Sequence, residues 1–269
     1  MEQLNSLRAV VRKQKPLIHC LTNNITINDV ANVILAVGAR PIMAEHKQEV
    51  ESVTSTAKAL AVNLGNITDD RMHSMLLAGA VARKAKIPCV IDLVGVACSS
   101  LRLRFAQNFI SKCQPTVIKG NVSEIKALAS LNVCAQGVDV SADDAVLSEE
   151  SLLTLAQQVA QKYATIVVMT GKVDVIAQGN KQFLVHNGHA MLAEITGTGC
   201  MLNGLLATFI STGEFLSAAL LATSMLGICG ELAAQTARGT GSFKVDLLDN
   251  LSRLTDEQFL QLACIKEVG

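Results

Sequence analysis

The feature that most constrains this chain is a repeated alternation of short apolar runs with longer segments of helical period. Strand-length runs at 17–21, 40–44, 59–64, 88–94, 116–118 and 165–169 are separated by helical segments at 27–37, 48–58, 69–86, 101–112, 122–131 and 148–162. Such alternation builds βαβ units, a mainly parallel sheet covered on both faces, and right-handed crossovers. After Thr170 the pattern changes: 173–178 and 182–186 flank Gly179-Asn180, which reads as a hairpin turn between antiparallel strands. The stretch 200–237 is rich in Ala, Leu, Gly and Thr, and reads as two buried helices broken near Gly213. Residues 141–144 read as an exposed loop. The expectation is one α/β domain over 1–269, in three layers, with a mainly parallel central sheet, helices on both faces and antiparallel strands at one edge. With half of its 269 residues apolar, the chain can bury a core of that size.

Composition narrows the function classes. Lys plus Arg and Asp plus Glu both number 23, so no net charge draws the chain to nucleic acid or an anionic membrane. No Trp and a single Tyr leave no aromatic platform for stacking bases. No apolar run reaches the roughly 20 residues of a spanning helix, and Met1-Glu2-Gln3-Leu4-Asn5 does not begin a secretory signal. The eight Cys are scattered, without a Cys-x-x-Cys pair, and read as reduced core residues. A soluble, cytoplasmic small-molecule enzyme with no nucleic-acid or membrane partner is expected.

In open parallel sheets, ligands sit beyond the carboxyl ends of the strands. Polar residues gather there: Thr22-Asn23-Asn24, Asn63-Leu64-Gly65-Asn66, Asp92, Lys119-Gly120-Asn121 with Glu124, and Thr170-Gly171. Burying polar groups without partners is costly, so the cluster favours a ligand site over core filling. The sharpest motif is Thr196-Gly197-Thr198-Gly199-Cys200, directly before an apolar helix. Glycines let amides converge on an anion, and the helix start adds unpaired donors, which together make a phosphoryl-binding device. Read alone, the same motif is an ordinary glycine-rich cap. Asp92 and Glu124 suit a shared magnesium ion, or equally a helix cap and a solvated first-turn acid. Asn121-Val122-Ser123-Glu124 also fits a capping box. No P-loop and no Gly-x-Gly-x-x-Gly after the first strand occurs. Met43 alone reads as core packing, Lys119 as a solvated surface residue, and His19, His186 and His189 as structural or as supports behind the site residues.

Several stretches carry a family resemblance: Pro16-Leu17-Ile18-His19-Cys20-Leu21-Thr22-Asn23-Asn24, Gly38-Ala39-Arg40-Pro41-Ile42-Met43-Ala44, Ala61-Val62-Asn63-Leu64-Gly65, Lys119 to Glu124, Thr170-Gly171-Lys172-Val173-Asp174, His186-Asn187-Gly188-His189 and Thr196 to Cys200. Together they resemble the hydroxyethylthiazole kinase family, of ribokinase-like fold, along essentially the whole chain. The resemblance implies ATP as co-substrate, magnesium, phosphorylation of the hydroxyethyl group of the thiazole of thiamine salvage, and a homotrimer with sites between subunits. It implies that Asn23 and Met43 line the thiazole pocket and that Gly197 touches substrate. Asp92 and Glu124 would hold magnesium with its water shell, Lys119 and Thr170 would contact ATP, and Gly197, Thr198, Gly199 and Cys200 would form the anion hole. Cys200 stands where the wider superfamily places its catalytic Asp.

Two residues depart from the family pattern. Leu93 replaces a Pro after Asp92, removing a fixed φ, and Lys119 replaces an Arg, turning a planar grip into a point charge. For the Cys200 thiol, a helix start lowers the pKa while approaching phosphates raise it, so the sequence leaves the sign open. The alternatives are a nucleotide-dependent dehydratase repairing hydrated nicotinamide cofactors, and a non-catalytic thiazole or nucleotide sensor.

Overall fold

The computed structural model describes residues 2–130 and 148–268; the expected loop at 141–144, Cys134, and the helix end at Leu131 lie outside them. Six strands run parallel: β1 (Leu17–Leu21), β2 (Arg40–Ile42), β3 (Ala59–Asn63), β4 (Cys89–Asp92), β5 (Val117–Asn121) and β6 (Ile166–Thr170). Three more continue antiparallel: β7 (Asp174–Gln178), β8 (Lys181–Val185) and β9 (Ile265–Glu267). Among the described residues they form one sheet in the order β2-β1-β3-β4-β5-β6-β7-β8-β9.

Residue parity sorts the sheet's side chains into two cores. Ile18, Ala59, Ala61, Val168 and Ile176 face one apolar cluster, and Leu60, Val62, Ile91, Val167 and Val175 face the other. Both faces are covered, so these strands read as near-continuous apolar runs. On the second face lie α3 (Val50–Thr56), α4 (Asp69–Ala85), α5 (Ser100–Cys113), α6 (Val122–Ser130) and α7 (Glu149–Tyr163). On the first lie α1 (Glu2–Gln14), α2 (Ile27–Ala36), α9 (Thr198–Ile210), α10 (Phe215–Thr236) and α11 (Thr240–Arg253). The short α8 (Met191–Glu194) leads into α9, and α12 (Asp256–Leu262) seats Phe259 in the first core.

Local chemistry fixes the boundaries. Thr68, Ser99 and Ser148 each cap a helix start through the side-chain oxygen. Gly179, at φ +57, turns the β7–β8 hairpin, and Gly213, at φ +95, separates α9 from α10 as expected.

Three expectations need correction. β5 runs on through Lys119, Gly120 and Asn121, because Lys119 finds a buried partner in Asp92 and can stay in the sheet. β2 and β4 end early, at Ile42 and Asp92, leaving Met43 and Leu93 in the loops. Helix α10 is long and apolar enough to cross a membrane, with a mean hydropathy of 1.6 over its best window, since Glu231 is its only charged residue. That window is 72% buried inside the protein, which marks a core helix.

Candidate active site

β1 and β3 are neighbours, and the chain leaves β1 toward β2 on one side and β3 toward β4 on the other, so their outgoing connections part in opposite directions. This is a topological switch point, where a crevice opens beyond the carboxyl ends of the strands. Thr22-Asn23-Asn24 leaves β1 there and Leu64-Gly65-Asn66 leaves β3. The two loops touch: a Cβ on Gly65 would stand 2.6 Å from Asn23 Nδ2 and 2.9 Å from Asn63 Oδ1, which only glycine tolerates. Asn23 shapes the entry to α2, its Oδ1 accepting from the Ile25 amide at 3.0 Å and its carbonyl from the Thr26 amide at 3.0 Å. His19 faces Thr54 at 2.9 Å and the Ala44 carbonyl at 2.7 Å, fixing the segment that carries Met43. Burial lowers the His19 pKa, so the ring is neutral and structural, as expected.

Gly197, at φ +99, is the cap of α9, and Met201 N–H closes the first turn on the Gly197 carbonyl at 2.8 Å. The amides of Thr198, Gly199 and Cys200 therefore have no acceptor within the helix and converge beyond its start. That start is wedged between two elements. A Cβ on Gly197 would meet Thr26 Cγ2 at 2.6 Å, and one on Gly199 would meet Lys119 Nζ at 2.9 Å. Cys200 is buried, and its Sγ accepts from Asn63 Nδ2 at 3.4 Å. Burial raises the thiol pKa and the Asp92 charge adds to it, while Thr26, Lys119 and Asn63 oppose. The sign left open by the sequence is upward, and the thiol is neutral at pH 7.

Asp92 ends β4 with no exposure to solvent. Lys119 Nζ donates to both its oxygens at 3.1 Å, and Asn63 Nδ2 donates to Oδ2 at 2.8 Å. Burial pushes the Asp92 carboxyl up to about 6 against the Lys119 charge, with Glu124 adding a smaller upward push. Burial alone would lower Lys119, but the Asp92 carboxylate outweighs it and raises the pKa. Both groups are thus ionised at neutral pH, and Lys119 is a buried partner, not a solvated surface residue. Glu124 completes the capping box: its amide donates to Asn121 Oδ1 at 2.9 Å and its Oε2 accepts from the Asn121 amide at 2.8 Å. Its Oε1 accepts from Gly95 N–H at 2.9 Å.

Among the described residues no three His, Cys, Asp or Glu side chains converge into a complete metal cage. Asp92 and Glu124 lie close enough to repel; Asp92 Oδ2 already takes two donors, whereas Asp92 Oδ1 and both Glu124 oxygens take one each and keep a second lone pair. This suits a magnesium ion held through water and phosphate oxygens, the usual arrangement for that cation. On the far side, Thr170 ends β6 with Oγ1 3.4 Å from the Gly120 carbonyl. Asp174 accepts from Gly171 N–H at 2.9 Å, and burial pushes its carboxyl up to about 7.

Asn23, Asp92, Lys119, Glu124 and the 197–200 segment are brought to one end of the sheet. Met43 flanks them beyond β2, half-buried against the first core, and Thr170 flanks them at β6. Asn63, given no role of its own from the sequence, bridges Asp92 and Cys200 with one amide. Thr26, unremarked in the sequence, packs on Gly197 and opposes the rise of the Cys200 pKa.

A doubly covered, mainly parallel sheet with a glycine-opened helix at its switch point gives the chain a ribokinase-like fold. A ribokinase-like superfamily protein from Enterococcus faecalis V583 shares the fold, with a TM-score of 0.63 at 14% identity over 88% of this chain and 86% of that one. More particularly, the chain belongs to the hydroxyethylthiazole kinase family, whose model matches residues 8–257. It is 50% identical over 253 residues to hydroxyethylthiazole kinase 2 of Clostridium botulinum (strain Hall), covering 93% of this chain and 95% of that one. The hydroxyethylthiazole kinase structure from Pyrococcus horikoshii OT3 superposes with a TM-score of 0.92 at 33% identity, covering 100% of both chains.

Proposed function

We propose that this chain, acting as a single domain over 1–269, transfers the γ-phosphoryl group of ATP to the hydroxyl of 4-methyl-5-(2-hydroxyethyl)thiazole, giving the phosphate used in thiamine salvage. One observation carries the reading beside family membership. The amide-lined start of α9 opens at the switch-point crevice, between Thr26 and the Lys119–Asp92 pair.

In this reading Asn23 and Met43 line the thiazole pocket, and Gly197 touches the substrate at its rim. The amides of Gly197, Thr198, Gly199 and Cys200 receive the oxygens of the transferred group, where donors fixed in advance are worth most. Lys119 and Thr170 contact ATP. Asp92 takes two of the three donors of the Lys119 ammonium, and the bare Gly199 leaves it facing the start of α9. Asp92 and Glu124 would hold magnesium through its water shell; when bound, the ion supplies positive charge at the phosphate oxygens.

The hydroxyl oxygen attacks phosphorus as the bond to the departing ADP breaks, and the transition state is loose, so the hydroxyl proton is lost late. Cys200 faces that oxygen. A neutral thiol takes no proton, so only its minor thiolate accepts one, and the late proton loss tolerates so scarce a base. The dehydratase and sensor alternatives draw no support from kinase family membership.

A cytoplasmic homotrimer with sites between subunits completes the proposal. Ile25, directly after the Asn23-Asn24 pair, is 67% exposed, which suits a pocket wall finished by a second copy. Incubation with ATP, magnesium and a panel of small alcohols, with mass detection of products, tests the assignment. Thiazole phosphate should form in step with ADP; if the thiazole is ignored while another alcohol reacts, the substrate is wrong. ATP left unconsumed with every alcohol would remove the kinase reading itself.

A further inference from the structure

We infer that Arg71 is a positioning residue for the alcohol substrate: its buried guanidinium ties the loops after β1, β2 and β3 into one pocket wall. Arg71 lies in the first turn of α4, where its own amide donates to the Thr68 cap at 3.2 Å. Its side chain, only 6% exposed, reaches three separate loops. Nη2 donates to the Thr22 carbonyl, Nη1 donates to the Asn66 carbonyl at 2.9 Å, and Nε lies 3.1 Å from Glu45 Oε2. Each target borders the proposed pocket. Thr22 precedes Asn23, Glu45 follows Met43 by two residues, and Asn66 adjoins Gly65, on which the Asn23 amide packs.

The planar fork of arginine makes this possible: its two Nη groups donate to the Thr22 and Asn66 carbonyls, and Nε, which makes no hydrogen bond, meets Glu45 as an ion pair. A lysine ammonium in the same place is a single point. A buried cation needs its partners, so lifting any one loop leaves the guanidinium short of a partner, and the loops hold their places together. Glu45 is the one counter-ion paired with Arg71 among the described residues, and its side chain is 44% exposed, so the tie to the β2 loop closes the wall from the solvent side. The loops thus gain a common rigidity that none obtains from its own short backbone bonds. Placing a substrate hydroxyl for in-line transfer depends on such rigidity.

This inference rests on the substrate reading above only in its kinetic part. The variants are Arg71→Met, which keeps a good helix former and fills the volume, and Arg71→Lys. KM for the thiazole alcohol should rise about tenfold in Arg71→Met while KM for ATP stays within about twofold, with Arg71→Lys between wild type and Met. Amide hydrogen exchange should quicken at 22–24, 43–46 and 64–67 and stay unchanged at the start of α9. A uniform structural weakening would instead raise both KM values and speed exchange everywhere. Unchanged exchange in the three loops, or an equal rise of both KM values, overturns the inference. If Arg71→Met does not fold, Glu45→Gln, which removes the half-exposed counter-ion, is expected to give the same pattern at smaller size. If wild type phosphorylates no thiazole alcohol, the substrate reading falls by itself, and the exchange pattern alone decides whether Arg71 ties the loops.

Discussion

At the scale of single residues, the site is governed by how burial acts on charge. Asp92 is ionised in the interior only because Lys119 and Asn63 face it. Truncating one partner of a buried pair strands the other, at a cost of roughly 3–5 kcal/mol. Lys119→Met should therefore unfold at lower denaturant, and the deficit should depend on pH. Without Lys119 the Asp92 carboxyl, already about 6, rises further above its unfolded value. The folded state then binds the extra proton, so stability present in acid is lost as pH rises through the new pKa. Denaturation in metal-free buffer should show a small deficit near about pH 5 and the full one near about pH 8, and Asp92→Asn added to Lys119→Met should remove the difference. The same burial governs Cys200, whose raised pKa leaves little thiolate. A working general base contributes about 10²–10⁴-fold, so Cys200→Ala should cost less than about tenfold in kcat. Single-turnover kinetics would read this directly, and a hundredfold loss would make the thiol a true base. Cys200→Asp should retain turnover, since a carboxylate there supplies the acceptor the thiol provides poorly.

At the scale of elements, the start of α9 joins fold to chemistry, and its two glycines should fail in different ways. Gly197→Ala forces a side chain into a left-handed backbone, at a cost of roughly 1–2 kcal/mol, and drives the Cβ into Thr26 Cγ2. It should lose stability and phosphoryl transfer together. Gly199→Ala has helical backbone and meets only the far end of Lys119, which can move. It should keep its melting temperature within a few degrees but raise KM for ATP, because the ammonium is pushed aside from the start of α9 while it stays paired with Asp92. Equal behaviour of the two variants would break the assignment of Lys119 to the nucleotide. The elements themselves were largely legible in the sequence, because strand runs and helical periods are local and Gly179 and Gly213 punctuate them. β9 is three residues long and is defined by docking on β8, so no local pattern announces it. α1 and α12 are defined by each other in a related way: Arg8 of α1 bonds Asp256 and the Leu254 carbonyl, far away in sequence. In the site, the glycine motif and the acids could be read from position after a strand. The position of Asn63 could be read too, but its role could not, nor could Thr26 or Arg71, because these roles exist only across folded contacts. Asn63 lies 137 residues from Cys200, and Arg71 lies 49 from Thr22.

At the scale of the whole molecule, the question is what covers the apolar side chains left outside the two cores. Ile25 is 67% exposed, Leu35 54% and Val245 58%. They belong to the loop before α2, to α2 and to α11, and these two helices are joined by Lys244 Nζ on Asp29 Oδ2 at 2.8 Å. Single exposed apolar residues are ordinary, but several on neighbouring elements beside a ligand crevice suit an interface. The proposed homotrimer would cover them and bring a second copy to the Asn23 loop. Sedimentation at micromolar concentration should then give one species of three chains. Ile25→Asp combined with Val245→Asp should shift it toward monomer, because charges resist burial in an apolar contact. If each site is finished by a neighbour, activity per chain in that variant should fall on dilution and recover as protein concentration rises, following mass action. A monomeric variant with full activity at every concentration would show that one chain completes its own site.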